Sequence, residues 1–112
     1  MPSGRASRIV NLHVEPAALL ELCEAAAWYD DARDGLGAEF ISTVEQAFDL
    51  IKAAPQLYSS LEYWTSAWEV RRYCLRRFPY VVVYWIHGDS ITVVAVAHGR
   101  RRPLYWIDRI RS

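Results

Sequence analysis

Residues 80–98 read YVVVYWIHGDSITVVAVAH. Two runs rich in Val, Ile, Tyr and Trp flank His87-Gly88-Asp89-Ser90. Gly88-Asp89 has the chemistry of a two-residue loop between antiparallel strands. Runs 80–87 and 90–98 are therefore expected to form a hairpin. Both are apolar at alternating positions of either parity, so both faces of the sheet should be covered. Residues 69–77 have the same texture, and Phe78-Pro79 marks the turn between them and the hairpin. Connections this short make the three strands antiparallel neighbours.

Upstream the period changes to that of a helix. Phe40, Ile41, Val44, Ala47, Phe48 and Ile51 recur at steps of three and four across 36–54, and Pro55 stands just beyond. Glu15-Pro16 opens an earlier helix, since proline suits a first turn. Its expected buried stripe is Leu19, Leu22, Cys23, Ala26 and Tyr29. Residues 30–35, ending in Asp34-Gly35, break the pattern and fold the two helices into an antiparallel hairpin. Alternation at 9–14 reads as a short strand, which needs a sheet to join. Residues 101–111 form a short helix or an extended tail. The expected architecture is α+β, in the order β-α-α-β-β-β, with a helical hairpin packed on a small, mainly antiparallel sheet. Residues 1–8 are a flexible arm and 9–112 a single domain.

Composition agrees. A chain of 112 residues, 53% hydrophobic and 23% charged, makes one domain with a core. A net charge of zero excludes a globally basic nucleic-acid binder. No apolar run is long enough for a membrane span, and the start lacks the apolar region of a secretory signal. Cys23 and Cys74 read as small core residues of a cytoplasmic protein, and no Cys/His cluster has zinc-ligand spacing. The zero hides an asymmetry. Residues 1–70 hold eleven acids and four bases, whereas residues 71–112 hold nine arginines and two acids. An arginine-rich half points to a local anionic partner, unless the halves neutralise each other across the fold. Residues 56–68 carry Tyr58, Tyr63, Trp64 and Trp68. Tyr58 and Trp68 are expected to plug the core, while Tyr63 and Trp64 are candidates for a partner surface.

Several words of the sequence resemble the RelE/ParE superfamily of type II toxin–antitoxin toxins. They are Ala27-Trp28-Tyr29, Gly35-Leu36-Gly37 with Glu39-Phe40, Arg76-Arg77-Phe78-Pro79-Tyr80, and His98-Gly99-Arg100-Arg101 followed by Pro103 and Tyr105-Trp106. The resemblance covers roughly 9–107 and is closer to the ParE-like branch. It implies a cytoplasmic toxin that arrests growth, neutralised by a cognate antitoxin, as a homodimer or a heterotetramer with that antitoxin. No cofactor and no metal are implied. ParE-like members act on DNA gyrase, and RelE-like members cleave mRNA on the ribosome.

The residues allow both chemistries. Metal-free RNA cleavage needs a base, cations for the phosphorane and an acid for the leaving oxygen. Alternation along 69–77 puts Arg72 and Arg76 on one face, and Arg71 and Arg77 on the other. With His98 and Tyr105 they form the nuclease candidates. No residue matches the mid-chain lysines of RelE-like nucleases, since the single lysine is Lys52. A target- or antitoxin-binding face needs no catalytic set. Its candidates are Arg71, Arg77, Arg100, Arg101, Trp106, Tyr63 and Trp64. The alternative for the tail is packing on the second sheet face, since Trp106 and Ile110 share one side of a helix. An antitoxin segment is expected on the face opposite the hairpin, or beside the hairpin, with its acids meeting the arginines. An inactive binding module is the third reading.

Overall fold

The structure, a computed structural model, describes residues 11–60 and 69–111. The elements are β1 (Asn11–Val14), α1 (Pro16–Ala32), α2 (Leu36–Ala53), β2 (Glu69–Cys74), β3 (Tyr80–His87), β4 (Ser90–His98) and α3 (Ile107–Arg111). They make an α+β fold in the expected order. The expected arm at 1–8, the start of the first strand, and Tyr63, Trp64 and Trp68 lie outside the described residues.

The sheet order is β1-β4-β3-β2. β2, β3 and β4 are antiparallel neighbours, and β1 joins β4 in parallel, with Asn11 opposite Ser90. A bulge after Val83 leaves Val94 as the extra residue of β4. Neighbouring side chains there reach both faces: Val93 joins the core under the helices, while Val94 and Ala95 join the core on the opposite face.

The helical hairpin closes tightly because small residues meet at its seam. α1 buries Ala18, Leu22, Ala25 and Ala26, and α2 buries Gly37, Phe40, Val44, Ala47 and Ile51. This corrects the expected α1 stripe: Leu19 is 50% exposed and Cys23 is exposed. Leu22, Ala26 and Tyr29 of that stripe do face the core, and small Ala18 and Ala25 are buried where Leu19 and Cys23 are not. Cys74 is exposed too, so neither cysteine is a core residue. α1 also runs past Asp30 to Ala32. The Asp30 carboxylate instead accepts from the N–H groups of Gly35 and Gly37, each at 3.0 Å, and caps α2 from the preceding helix. Gly35, with φ of +89°, makes the turn.

Tyr29, Phe40, Phe78 and Tyr80 pack with ring centroids 4.9 to 6.1 Å apart. The Gly99 N–H donates to the Pro79 carbonyl at 2.8 Å. The short sequence words at 28–29, 39–40, 76–80 and 98–101 therefore converge at one end of the sheet.

The other sheet face is covered by the chain's own C-terminal segment. Trp106 and Ile110 bury themselves against Val70, Val83, Val94, Ala95 and Ala97. Glu21 fastens this cover. Its carboxylate accepts from the Tyr105 hydroxyl at 2.6 Å, from both Arg109 Nη atoms at 3.1 Å, and from the Val96 N–H at 3.0 Å. Arg109 also donates to the Val94 carbonyl at 2.8 Å. One carboxylate thus joins α1, β4 and the tail. Among the described residues no helix is long and apolar enough to cross a membrane.

Candidate functional site

β2 is an edge strand and α2 flanks it. Two adjoining cavities of about 530 and 560 Å³ lie between them and share Leu50, Tyr73 and Arg76. Together they form a groove. One end is lined by Glu39, Ser42, Thr43 and Gln46, and the other by Leu57, Tyr58, Arg72 and Cys74. Leu50 and Leu57 are 46% and 72% exposed. The β2 edge is partly closed: the Arg72 N–H donates to Ser59, and Ser60 bridges Arg71. This blunts strand addition along that edge and leaves side chains as the recognition surface.

Arg72 and Arg76 both enter the groove and are exposed, with no side-chain partner among the described residues. The expected facing of the four central arginines needs correction beyond that pair. β2 ends at Cys74, because Leu75 and Phe78 turn inward to the core. Arg77 therefore leaves the strand and pairs with Glu39 at the start of α2, where Arg33 also lies within 3.5 Å. The hydrogen bond from Arg77 leads the causes that hold the Glu39 carboxyl below its usual range. Arg71 donates to Glu69 at 2.9 Å and to the Tyr58 carbonyl at 2.5 Å, inside the chain. Tyr58 packs edge-on against Tyr73 beneath the groove, as a core plug.

The remaining candidates sit elsewhere. His98 lines a separate cavity of about 310 Å³ with Glu24, Trp28, Tyr80 and Arg101. Its Nδ1 accepts from the Arg100 N–H at 3.1 Å, and its ring meets that of Tyr80. Two strand spacings, roughly 10 Å, separate β4 from β2. Arg101 stacks over the Tyr105 ring at 3.9 Å, while Arg100 is exposed. The Tyr105 hydroxyl is committed to Glu21, and burial, followed by that bond, pushes its pKa up. Trp106 is 4% exposed, so it belongs to the second core and not to an outward binding face. The tail thus takes the packing alternative.

Three residues of this arrangement escaped the sequence reading. Leu50 and Leu57 lie off the helical stripe and inside an aperiodic stretch, where nothing local marks them. Glu21 finds its partners 75 to 88 positions away.

A family model described as ParE toxin of type II toxin-antitoxin system, parDE, matches residues 12–103. Among solved structures, the chromosomal ParDE toxin–antitoxin system from P. aeruginosa is similar in fold, with a TM-score of 0.60. The identity is 16%, over 80% of this chain and 96% of that one. No curated protein matches.

Proposed function

Because the chain belongs to the ParE toxin family of type II toxin–antitoxin systems, we propose that it arrests growth by binding a DNA gyrase-like enzyme in the cytoplasm, without cleaving RNA. One observation carries this reading. The groups that a metal-free nuclease would need do not converge: Arg72 and Arg76 share the groove beside α2, whereas His98 lines another cavity and Tyr105 is bound to Glu21. An acid whose proton is held by a carboxylate, and whose pKa is raised, is a poor donor to a leaving oxygen. Binding makes no such demand.

The antitoxin reading follows from where surface remains. The face opposite the hairpin is occupied by Trp106 and Ile110, which leaves the groove beside α2. An acidic, amphipathic antitoxin segment fits it, with apolar groups on Leu50, Leu57 and Tyr73 and carboxylates on Arg72 and Arg76.

The test is induction of the chain alone, followed by two assays on the purified protein. Gyrase-linked DNA breaks with intact ribosome-bound mRNA are the expected result. Cleaved mRNA with unaffected gyrase would overturn the reading in favour of a RelE-like nuclease. Unchanged growth on induction would overturn it in favour of an inactive binding module.

A further inference from the structure

Four of the five large hydrophobic side chains left exposed among the described residues, Leu19 and Leu20 on α1 and Leu50 and Leu57 in the groove, fall into two patches. Leu19, Leu20 and Trp28, at 50%, 58% and 66% exposure, stand on the outside of α1. Leu19, Leu20 and exposed Cys23 and Ala27 share one arc of the helix, away from the buried Ala18, Leu22, Ala25 and Ala26, while Trp28 lies half a turn from Leu19, beyond Glu24, at the His98 cavity. A helix apolar on both sides lacks a partner on one of them. α1 carries Glu24 and Asp31 beside this stripe and no Lys or Arg at all. Leu50 and Leu57 make the second patch, in the groove that bears Arg72 and Arg76. The first patch is convex and acidic; the second is concave and basic.

These are the two halves of a helix-in-groove contact. We propose that copies of this chain associate head to tail, the outer stripe of α1 in one copy seated in the Arg72–Arg76 groove of the next. Charge selects this arrangement. Stripe against stripe would bring Glu24 and Asp31 onto their own copies, and groove against groove would oppose four arginines. Only the crosswise contact pairs opposite signs. One such contact leaves a free stripe and a free groove, which the same partner satisfies by reciprocal exchange or further copies extend into short chains or a ring. It grows with protein concentration and weakens with salt. The contact also brings Cys23 of one copy to the same interface as Cys74 of its neighbour, and these are the chain's two cysteines. The shape and charge of the two surfaces select this contact whether or not the chain is a toxin. It adds one consequence to the toxin reading: a neighbour's α1 occupies the groove assigned to the antitoxin segment.

Sedimentation velocity on the reduced, full-length protein tests it, alongside Leu20→Glu and the double variant Arg72→Glu/Arg76→Glu. All three positions are exposed, so folding is preserved, and circular dichroism verifies it. At low salt the wild-type average mass should at least double from low to high micromolar concentration and fall back in high salt. Each variant alone should stay monomeric. Mixed in equal amounts, they should give a dimer and nothing larger, because the pair keeps one intact stripe and one intact groove. Cross-linking of the wild type with bismaleimidoethane should join Cys23 to Cys74. A wild type that stays monomeric, a variant that still assembles, a mixture that remains monomeric, or Cys23–Cys23 linkage would each overturn the proposal. Growth arrest on induction is scored separately, so loss of the toxin reading leaves this result standing.

Discussion

Replacing Gly37 with alanine should destabilise the protein, although helix propensity alone argues the reverse. Alanine in a helix is favoured over glycine by about 1 kcal/mol. At Gly37, however, a Cβ would lie 2.4 Å from the Ala26 carbonyl oxygen and 3.2 Å from the Asp30 Cβ. The first of these atoms is backbone, so relief requires α1 and α2 to separate by about 1 Å. Overpacking of this kind costs about 1–3 kcal/mol. Separation also strains the bond from the Gly37 N–H to the Asp30 carboxylate, a cap worth about 1 kcal/mol. The net expectation is a loss of about 2 kcal/mol. With a urea slope of about 1.3 kcal/mol per M, the unfolding midpoint should drop by roughly 1.5 M. Ala38→Gly, one position on and exposed, is the control and should cost only ~1 kcal/mol by propensity. If Gly37→Ala raises the midpoint, the close packing of the hairpin is wrong as described.

Three further outcomes follow from the same contacts. Glu21→Ala removes the acceptor shared by Tyr105, Arg109 and Val96, at an expected cost of about 3 kcal/mol. Amide exchange should rise first at Ile107–Arg111, and uniform acceleration across α1 and α3 would contradict the fastening role. The Glu39 carboxyl is held below its usual value of 4.5, chiefly by Arg77, so its stabilisation is present above that pH and is lost as pH falls through the lowered pKa. Arg77→Ala should therefore flatten the decline of Tm on the acid side, and an unchanged acid limb counts against the pair. Burial raises the pKa of Tyr84 above 10.0, so its contribution holds below that pH and is lost as the solution becomes more alkaline. Tyr84→Phe, which also orphans the Pro55 carbonyl, should cost about 1–2 kcal/mol at neutral pH while making the alkaline loss shallower. An alkaline limb as steep as that of the wild type would exclude Tyr84 as its source.

Elements defined by local chemistry were readable from the chain. The limits of β3 and β4 follow from dense β-branched runs around Gly88-Asp89, and α2 follows from a 3.6-residue period closed by Pro55. α1 was legible as a helix, and Leu22, Ala26 and Tyr29 of its expected stripe face the core. The limits of that stripe were misjudged, because small Ala18 and Ala25 take buried positions while Leu19 and Cys23 are exposed, and Ala26 lets Gly37 of α2 approach closely. The end of β2 was overrun because Leu75 and Phe78 continue an apolar texture while turning into the core. The parallel pairing of β1 with β4 depends on which edge was left open, which no local pattern encodes. The candidate site divided in the same way. Arg72 and Arg76 could be singled out by strand alternation as a pair on one face, and both line the groove, whereas Arg71, Arg77 and Tyr105 had internal partners whose identity depends on the folded topology.

The pairing of β1 with β4 also bears on how the protein is made. Asn11 opposes Ser90, so β1 waits 79 residues of synthesis for its neighbour. At ~5–20 residues per second, that delay is roughly 4–16 s of synthesis. The cover on the second sheet face comes later still, because Trp106 and Ile110 follow β4 in the chain. The layer under the helices therefore cannot close before β4 has been made, and the opposite layer not before Ile110.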